Sequence, residues 1–393
     1  MKKFILMVVA IMFMTGLFSS DVTYSAPEFM QAYYDAYSQN YINTLASGRG
    51  NTGVAKIENL ENVLLNPAGF STDHSEMYVE FSIKPEKKEI GHLGKENYLA
   101  NNPFTFIGFS FNMIDNLSSA IYYSMPKSIE YVRYTISLEA GTIFDREPQY
   151  HQYSLGFANS YKISNLRLGF NAIYNIHSVT DMFINGILDK TDIQEEAFSF
   201  NTGLLYTVNE KLNLGLAYNH SSELSFDTQY WDWDVTVPAR FSAGLSYTML
   251  TNNVLNFDYE RRMNSQMSED YDDLDIFKLG YEKRMDLNTV RFGAMYIPST
   301  FSGEVILPYV DIAEASYPQT ATNFNGGIEN ILSNEQTFLT IGYSLDLEEI
   351  KFNLSAMQAV ASELKTTQLS LSVGINLSDF DITKYTPKKH DED

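Results

Sequence analysis

Cysteine is missing altogether from the 393 residues. That excludes disulfide staples, thiolate metal sites and cysteine nucleophiles. Basic side chains are scarce, with 27 Lys and Arg against 49 Asp and Glu and a formal charge of −22. A nucleic-acid partner needs a basic face and is excluded with it. Beyond the first 25 residues no apolar run approaches the length of a membrane helix, about 20 residues. No Gly-x-Ser-x-Gly elbow and no phosphate loop occurs. The histidines (His74, His92, His151, His177, His220 and His390) lack zinc spacing, and the acidic run Ser268–Asp275 lacks the glycine of a calcium loop. Neither an enzyme nor a metal or cofactor protein is expected. Tryptophan is reduced to 2 residues, yet Tyr and Phe number 27 and 26. The mean hydropathy is only −0.21. A transmembrane β-barrel reconciles many aromatics with low hydropathy, because each strand is apolar on one face only.

The chain opens with Lys2 and Lys3, an apolar run from Phe4 to Phe18, and small or polar residues to Ser25. This is the layout of a signal peptide over residues 1–25, with Thr23 and Ser25 suited to the −3 and −1 positions and cleavage before Ala26. An uncleaved signal anchor is the alternative. Residues 26–75 then differ from the rest. A Tyr-rich stretch with helical spacing is followed by Gly48, Gly50, Gly53 and Asn66-Pro67-Ala68-Gly69, a pattern of short helices and tight turns.

From Met77 the period becomes two. Met77, Val79, Phe81 and Ile83 alternate with Tyr78, Glu80, Ser82 and Lys84, and Leu166 to Ile176 and Leu369 to Leu377 repeat the pattern. Such rows are strands with unlike faces. Small polar residues line the second face, and charge is expected to collect in the connections. Strands are predicted near 76–84, 103–114, 118–141, 150–162, 165–180, 195–208, 211–228, 238–249, 253–262, 274–284, 288–297, 336–345, 350–358 and 367–377. Every second connection is tight, as at Asp115-Asn116, Ser164-Asn165, Asn209-Glu210, Thr251-Asn252, Met285-Asp286 and Asp346-Leu347. The others are long, as at Pro85–Asn102, Met263–Asp273 and Ile297–Glu335. Short periplasmic turns, long outer loops and an even strand count are the rule for outer-membrane barrels. The expected fold is therefore an all-β antiparallel barrel of about fourteen strands over residues 76–380. The third strand is overlong and carries Pro126, which removes a ladder donor. It reads equally as a kinked wall or as two shorter strands.

Four stretches carry a resemblance to a known family. They are Leu45–Ala55 leading to Asn66-Pro67-Ala68-Gly69-Phe70, Gly203–Tyr206 with Leu212–Tyr218 and Phe226, Val237–Tyr247 with Phe257–Glu260, and Leu279–Glu282 with Val290–Tyr296. In order and spacing they are similar to the FadL family of outer-membrane transporters of hydrophobic compounds. The resemblance implies a fourteen-stranded barrel, an internal plug over residues 26–75 with its motif at Asn66, Pro67 and Ala68, and passive uptake. Ligand would be captured at outer loops, released by plug movement and passed sideways through a kinked third strand, for which Pro126 is the candidate. Long-chain fatty acids or other hydrophobic compounds would be the cargo. The chain also resembles the shorter PorV/PorQ-like barrels, which serve protein secretion and surface attachment, and the plug motif fits both.

An apolar pocket in the lumen has candidates in Phe157, Phe200 and Phe241, which could instead face lipid. Trp231 and Trp233 suit an interfacial belt. The remaining expectations are a bacterial outer-membrane location, contact with outer-membrane lipid or lipopolysaccharide, delivery by the barrel-assembly machinery, and a monomer. Residues 381–393 after Phe380 read as a periplasmic tail.

Overall fold

A computed structural model of the chain describes residues 40–71, 75–84, 87–88, 97–100, 103–131, 134–137, 143–146, 149–184, 188–227, 232–267, 271–299, 301, 335–347, 349–361 and 366–377. The signal segment 1–25, the Tyr-rich stretch up to residue 39, Trp231, Phe380 and the tail 381–393 lie outside these residues.

Fourteen long strands form one ring. They are β1 (Glu76–Ile83), β2 (Phe104–Ile114), β3 (Leu117–Tyr131), β4 (Gln149–Ile163), β5 (Leu166–Ile184), β6 (Leu188–Asn209) and β7 (Leu212–Asn219). The second half is β8 (Arg240–Leu250), β9 (Asn253–Arg262), β10 (Leu274–Met285), β11 (Asn288–Ile297), β12 (Gln336–Asp346), β13 (Ile350–Ala361) and β14 (Thr367–Asn376). Each pairs antiparallel with its sequence neighbours, and β1 pairs with both β2 and β14, so the sheet closes. Closure leaves no edge strand to be capped. Among the described residues no helix is long and apolar enough to cross a membrane.

The local chemistry accounts for the strand ends. Asn116, Ser164 and Asp286 adopt φ of 67°, 55° and 46° in the tight turns. Asn and Asp tolerate this left-handed region best because a short polar side chain can bond locally. Within strands the alternation is strict. On β12 Leu339 and Ile341 are 52% and 51% exposed, while Thr340 and Ser344 between and beyond them are buried. On β14 Leu369 and Leu371 face out and Ser370 and Ser372 face in. The outer wall is thus an apolar belt, as a lipid-facing barrel requires, while the inner wall mixes small polar residues with buried aromatics such as Tyr78, Phe106 and Tyr122.

Three strands differ from expectation. The sixth, expected from about residue 195, already begins at Leu188. The third ends at Tyr131 and not at residue 141; Tyr134–Ser137 continues outward and pairs with Ile143–Arg146. It also runs through Pro126 rather than stopping there. From Ser124 to Lys127 it spends one residue more than its partner does between Ser154 and Gln152, a β-bulge that absorbs the missing donor. The seventh stops at Asn219, and Ser222–Asp227 instead forms a separate hairpin with Asp232–Val237.

Candidate functional site: the inner segment and its cavity

Residues 40–70 contain a short helix at Thr44–Ser47 and 3-10 turns at Leu60–Leu64 and Pro67–Gly69. Almost all of them are buried, and their contacts fall on strands all round the ring. Close approach is possible because inward positions opposite the segment are glycine. Gly169 of β5 and Gly203 of β6 are cross-strand partners, as are Gly215 and Gly244 of β7 and β8, and Gly280 and Gly293 of β10 and β11. A Cβ at Gly169 would sit 2.1 Å from Ala68 N, and one at Gly293 2.1 Å from Gly50 N. Neither could be accommodated without displacing backbone.

Asn66 shows why the Asn-Pro-Ala sequence is useful there. Its Oδ1 accepts from Ala68 N at 3.0 Å, capping the turn that Pro67 begins. Its Nδ2 donates to Val54 O at 2.6 Å and to Leu204 O of β6 at 3.2 Å. One amide therefore closes the turn, ties it to the preceding loop and ties both to the wall. Ala68 O completes the contact by accepting from Ser160 Oγ of β4 at 3.2 Å.

The segment is also held by buried charge. Arg49, fully buried, donates to both carboxylate oxygens of Glu58 at 2.7 and 2.6 Å. Lys56 Nζ meets Glu282 Oε1 of β10 at 2.6 Å, and Arg291 Nε of β11 meets Glu282 Oε2 at 3.1 Å. Asp258 of β9 accepts from the Gly53 and Val54 amides at 2.6 and 3.0 Å. Burial disfavours the Arg49 charge, but Glu58 and Glu282 outweigh it and raise its pKa above the ordinary value. Burial lowers Lys56, with Glu282 opposing the shift. Burial would raise Glu58, but Arg49 and Lys56 together bring it below the usual carboxylate range. Nearer β1 and β13, Glu61 accepts from Leu45 N at 3.2 Å and Asn353 Nδ2 at 3.3 Å. Burial first, and Glu80 second, push Glu61 up to about 8. Glu80 in turn accepts from the Asn43 and Thr44 amides and the Thr44 hydroxyl at 2.9, 2.7 and 2.9 Å.

These strand charges correct the expectation that charge gathers in the connections: Glu80, Asp258, Glu260, Lys278, Glu282 and Arg291 are all buried on inner faces. The period-two rows already carried the signal, since Asp258 and Glu260 alternate with Phe257 and Tyr259, and Lys278 and Glu282 with Phe277, Leu279 and Tyr281. The three phenylalanines expected in a lumen pocket point the other way. Phe157 is 42% exposed, and its neighbour Gly156 is the residue that meets the buried Tyr122 ring. Phe200 stacks on the outward Phe170, while Asn201 beside it is buried. Phe241 precedes the buried Ser242. The strand period fixes all three on the outer face.

Pro126 lies beyond the last described pair of the β2–β3 ladder, at the β-bulge of β3. The ladder between β2 and β3 ends at Phe106 opposite Ser124. The next described pair is Ala100 with Glu130 in the same register, and among the described residues Met125, Pro126 and Lys127 have no ladder partner on that side. The Pro126 carbonyl accepts from Asn40 N at 2.9 Å, and the Met125 carbonyl from Asn40 Nδ2 at 2.8 Å. On the side of the long connections, a cavity of about 170 Å³ lies between the segment and the wall. Tyr41, Ile42, Leu64 and Leu65 give it an apolar floor. Amides and hydroxyls of β3 to β7, together with Arg240 and Arg262, give it a polar wall, and it reaches Pro126 and Lys127.

No protein-family model matches the chain, and no curated protein matches it in sequence. Solved structures do match in fold. The toluene transporter TbuX of Ralstonia pickettii superposes with a TM-score of 0.63 at 13% identity, over 87% of this chain and 99% of that one. The Pseudomonas putida toluene transporter TodX gives 0.59 at 14% identity, over 84% and 96%. A Pseudomonas aeruginosa FadL homologue gives 0.59 at 12% identity, over 87% and 99%. The chain thus has the fourteen-stranded fold of the FadL-type outer-membrane transporters of hydrophobic compounds.

Proposed function

We propose that the chain is a bacterial outer-membrane channel for passive uptake of small hydrophobic compounds, with long-chain fatty acids as one candidate cargo. The observation that carries this reading is the meeting of cavity and wall break. The cavity reaches Pro126 and Lys127, where β3 has no described ladder partner on the β2 side, so a ligand held there would lie beside an interruption in the wall. Residues 26–75 then act as a plug that blocks straight passage, and the break serves as a sideways exit into the membrane. An apolar ligand gains roughly 0.8 kcal/mol per CH2 on leaving water, so such a path needs no energy source. The shared fold supports the same assignment.

The chain lacks cysteine, which gives a clean background for the test. Phe104 and Pro126 would be opposite each other if the Phe106–Ser124 register continued. Cysteines at both positions, bridged by a short bis-maleimide, should cut uptake of radiolabelled toluene and oleate by cells to that of cells lacking the protein. The unbridged pair should retain uptake. Undiminished uptake after complete bridging overturns the sideways route.

A second reading, a barrel that serves protein secretion, draws on a different observation. The cavity wall is polar, and the segment is tied elsewhere to β10 by buried ion pairs of Lys56 and Arg49 with Glu282. Recovery of a stoichiometric partner protein with the barrel, without any stimulation of uptake, selects this alternative.

A further inference from the structure

The end of the barrel that carries the tight turns holds a second cavity, of about 180 Å³. Lys56 and Ile57 of the inner segment form one side of it. Ser246 and Thr248 of β8, Thr251 of the turn that follows, and Arg284 of β10 belong to the other. The strand period turns these wall side chains inward. Tyr247 and Met249, beside Ser246 and Thr248, are the residues that face out, at 41% and 39% exposure. Arg284 continues the inner row of the buried Lys278 and Glu282. Among the described residues no carboxylate lines the cavity.

The charges around it do not balance. Lys56 is held by Glu282 at 2.6 Å, but Glu282 also meets Arg291 at 3.1 Å and Arg49 at 3.7 Å. Arg49 has Glu58 at 2.6 Å and, more weakly, Asp258. Arg284 makes four cations against these three carboxylates. It is exposed, and among the described residues its side chain makes no hydrogen bond or ion pair. It also stands close enough to Lys56 to disfavour that residue's charge. A guanidinium offers donors only, in a planar fork that matches carboxylate and phosphate oxygens. The neighbouring hydroxyls can donate as well. A cation is repelled there, and Ile57 gives an apolar body little to bury against. We infer that this cavity binds a small oxyanion, phosphate or carboxylate, which bridges Arg284 on the wall to Lys56 on the segment. The cavity lies on the inner face, away from the lipid-facing belt, so the anion comes from solution and not from a bilayer headgroup. The site is independent of the cargo and stands under either reading of the function.

The test is calorimetric titration of the full chain in detergent with inorganic phosphate at constant ionic strength. Saturable binding is expected, displaced by acetate and not by chloride at the same concentration. Arg284→Gln should weaken it by roughly tenfold or more, the loss of a hydrogen bond to a charged group. Lys283→Gln removes the same charge from the adjacent residue, which lies on the outward row of Phe277 and Leu279, and should leave the affinity unchanged. Folding is checked by the mobility of the unheated barrel on gels. If Arg284→Gln fails to fold, Arg284→Lys decides, because it keeps the charge, loses the fork and should still weaken binding. The inference is overturned by absence of saturable binding, by unchanged affinity in the folded Arg284 variant, by equal weakening in the Arg284 and Lys283 variants, or by chloride displacing phosphate as well as acetate does.

Discussion

The wall at β10–β11 and the wall at β2–β3 meet the same inner segment in opposite ways. At β10–β11 the ladder is unbroken from Phe277–Tyr296 to Met285–Asn288, and room for the Arg49–Gly50 backbone comes from removing side chains at Gly280 and Gly293. At β2–β3 Gly108 makes room for Leu60, and beyond the last described pair of the ladder Asn40 satisfies the Met125 and Pro126 carbonyls instead of a neighbouring strand. The first solution keeps the backbone hydrogen bonds that a membrane demands. The second gives some up and needs a replacement donor from the segment. The segment is thus seated on glycines at one wall and bonded through Asn40 to backbone carbonyls at the other.

The largest effect should come from filling the glycine contact. Gly293→Val places atoms against Gly50 N and the Arg49 carbonyl carbon, both backbone. Overpacking against backbone should cost about 3 kcal/mol or more and expose residues 40–70 to protease. Gly374→Ala is the control. Its Cβ would meet only side-chain atoms, the nearest being Glu76 Oε1 at 3.0 Å, so it should fold normally. Equal protease sensitivity in both variants would show that the segment is not seated by these glycines.

Next is Glu282→Ala, which removes the partner shared by Lys56 and Arg291. Breaking a buried pair from one side leaves uncompensated charge and costs about 3–5 kcal/mol. Thermal unfolding in detergent should show a fall in midpoint that Lys56→Met together with Glu282→Leu partly restores. The opposite wall should be less sensitive. Asn40→Ala removes one donor from Met125 O but keeps the backbone bond to Pro126 O. A loss of about 1 kcal/mol and faster amide exchange at Lys127 and Ser128 are expected there. A larger destabilisation than that of Glu282→Ala would reverse the contrast between the two walls.

Much of this contrast was legible in the sequence. The alternating rows located the strands, and the Asn and Asp residues located the tight turns, because both signals depend on near neighbours. Pro126 was visible as an anomaly. The bulge that accommodates it was not, since it depends on how β4 pairs across. Phe157, Phe200 and Phe241 were left open between lumen and lipid for a related reason: composition shows that a strand is apolar, but only the phase relative to Gly156, Asn201 and Ser242 tells which face is which. The inward charges fell in phase with those small residues and could have been found by the same step. The partnering of Lys56 with Glu282, 226 positions away, had no local signature.

The smallest effect should be a pH dependence that belongs to neither wall but to the segment between them. Glu61 sits near 8 against an ordinary 4.5, raised by burial and then by Glu80. Between those values the folded chain holds a proton that the unfolded chain has released. Folding is therefore favoured at low pH, and stability falls as the pH rises from about 4.5 towards 8. Glu61→Gln removes the titration while keeping an oxygen to accept from Leu45 N or Asn353 Nδ2. Its unfolding midpoint should vary less between pH 5 and 9 than that of the parent chain, with the parent the less stable of the two at pH 9. Parallel curves for the two proteins would assign the dependence to other carboxylates, of which Glu80 is the first to substitute because it accepts from the adjacent Asn43 and Thr44 amides of the same turn.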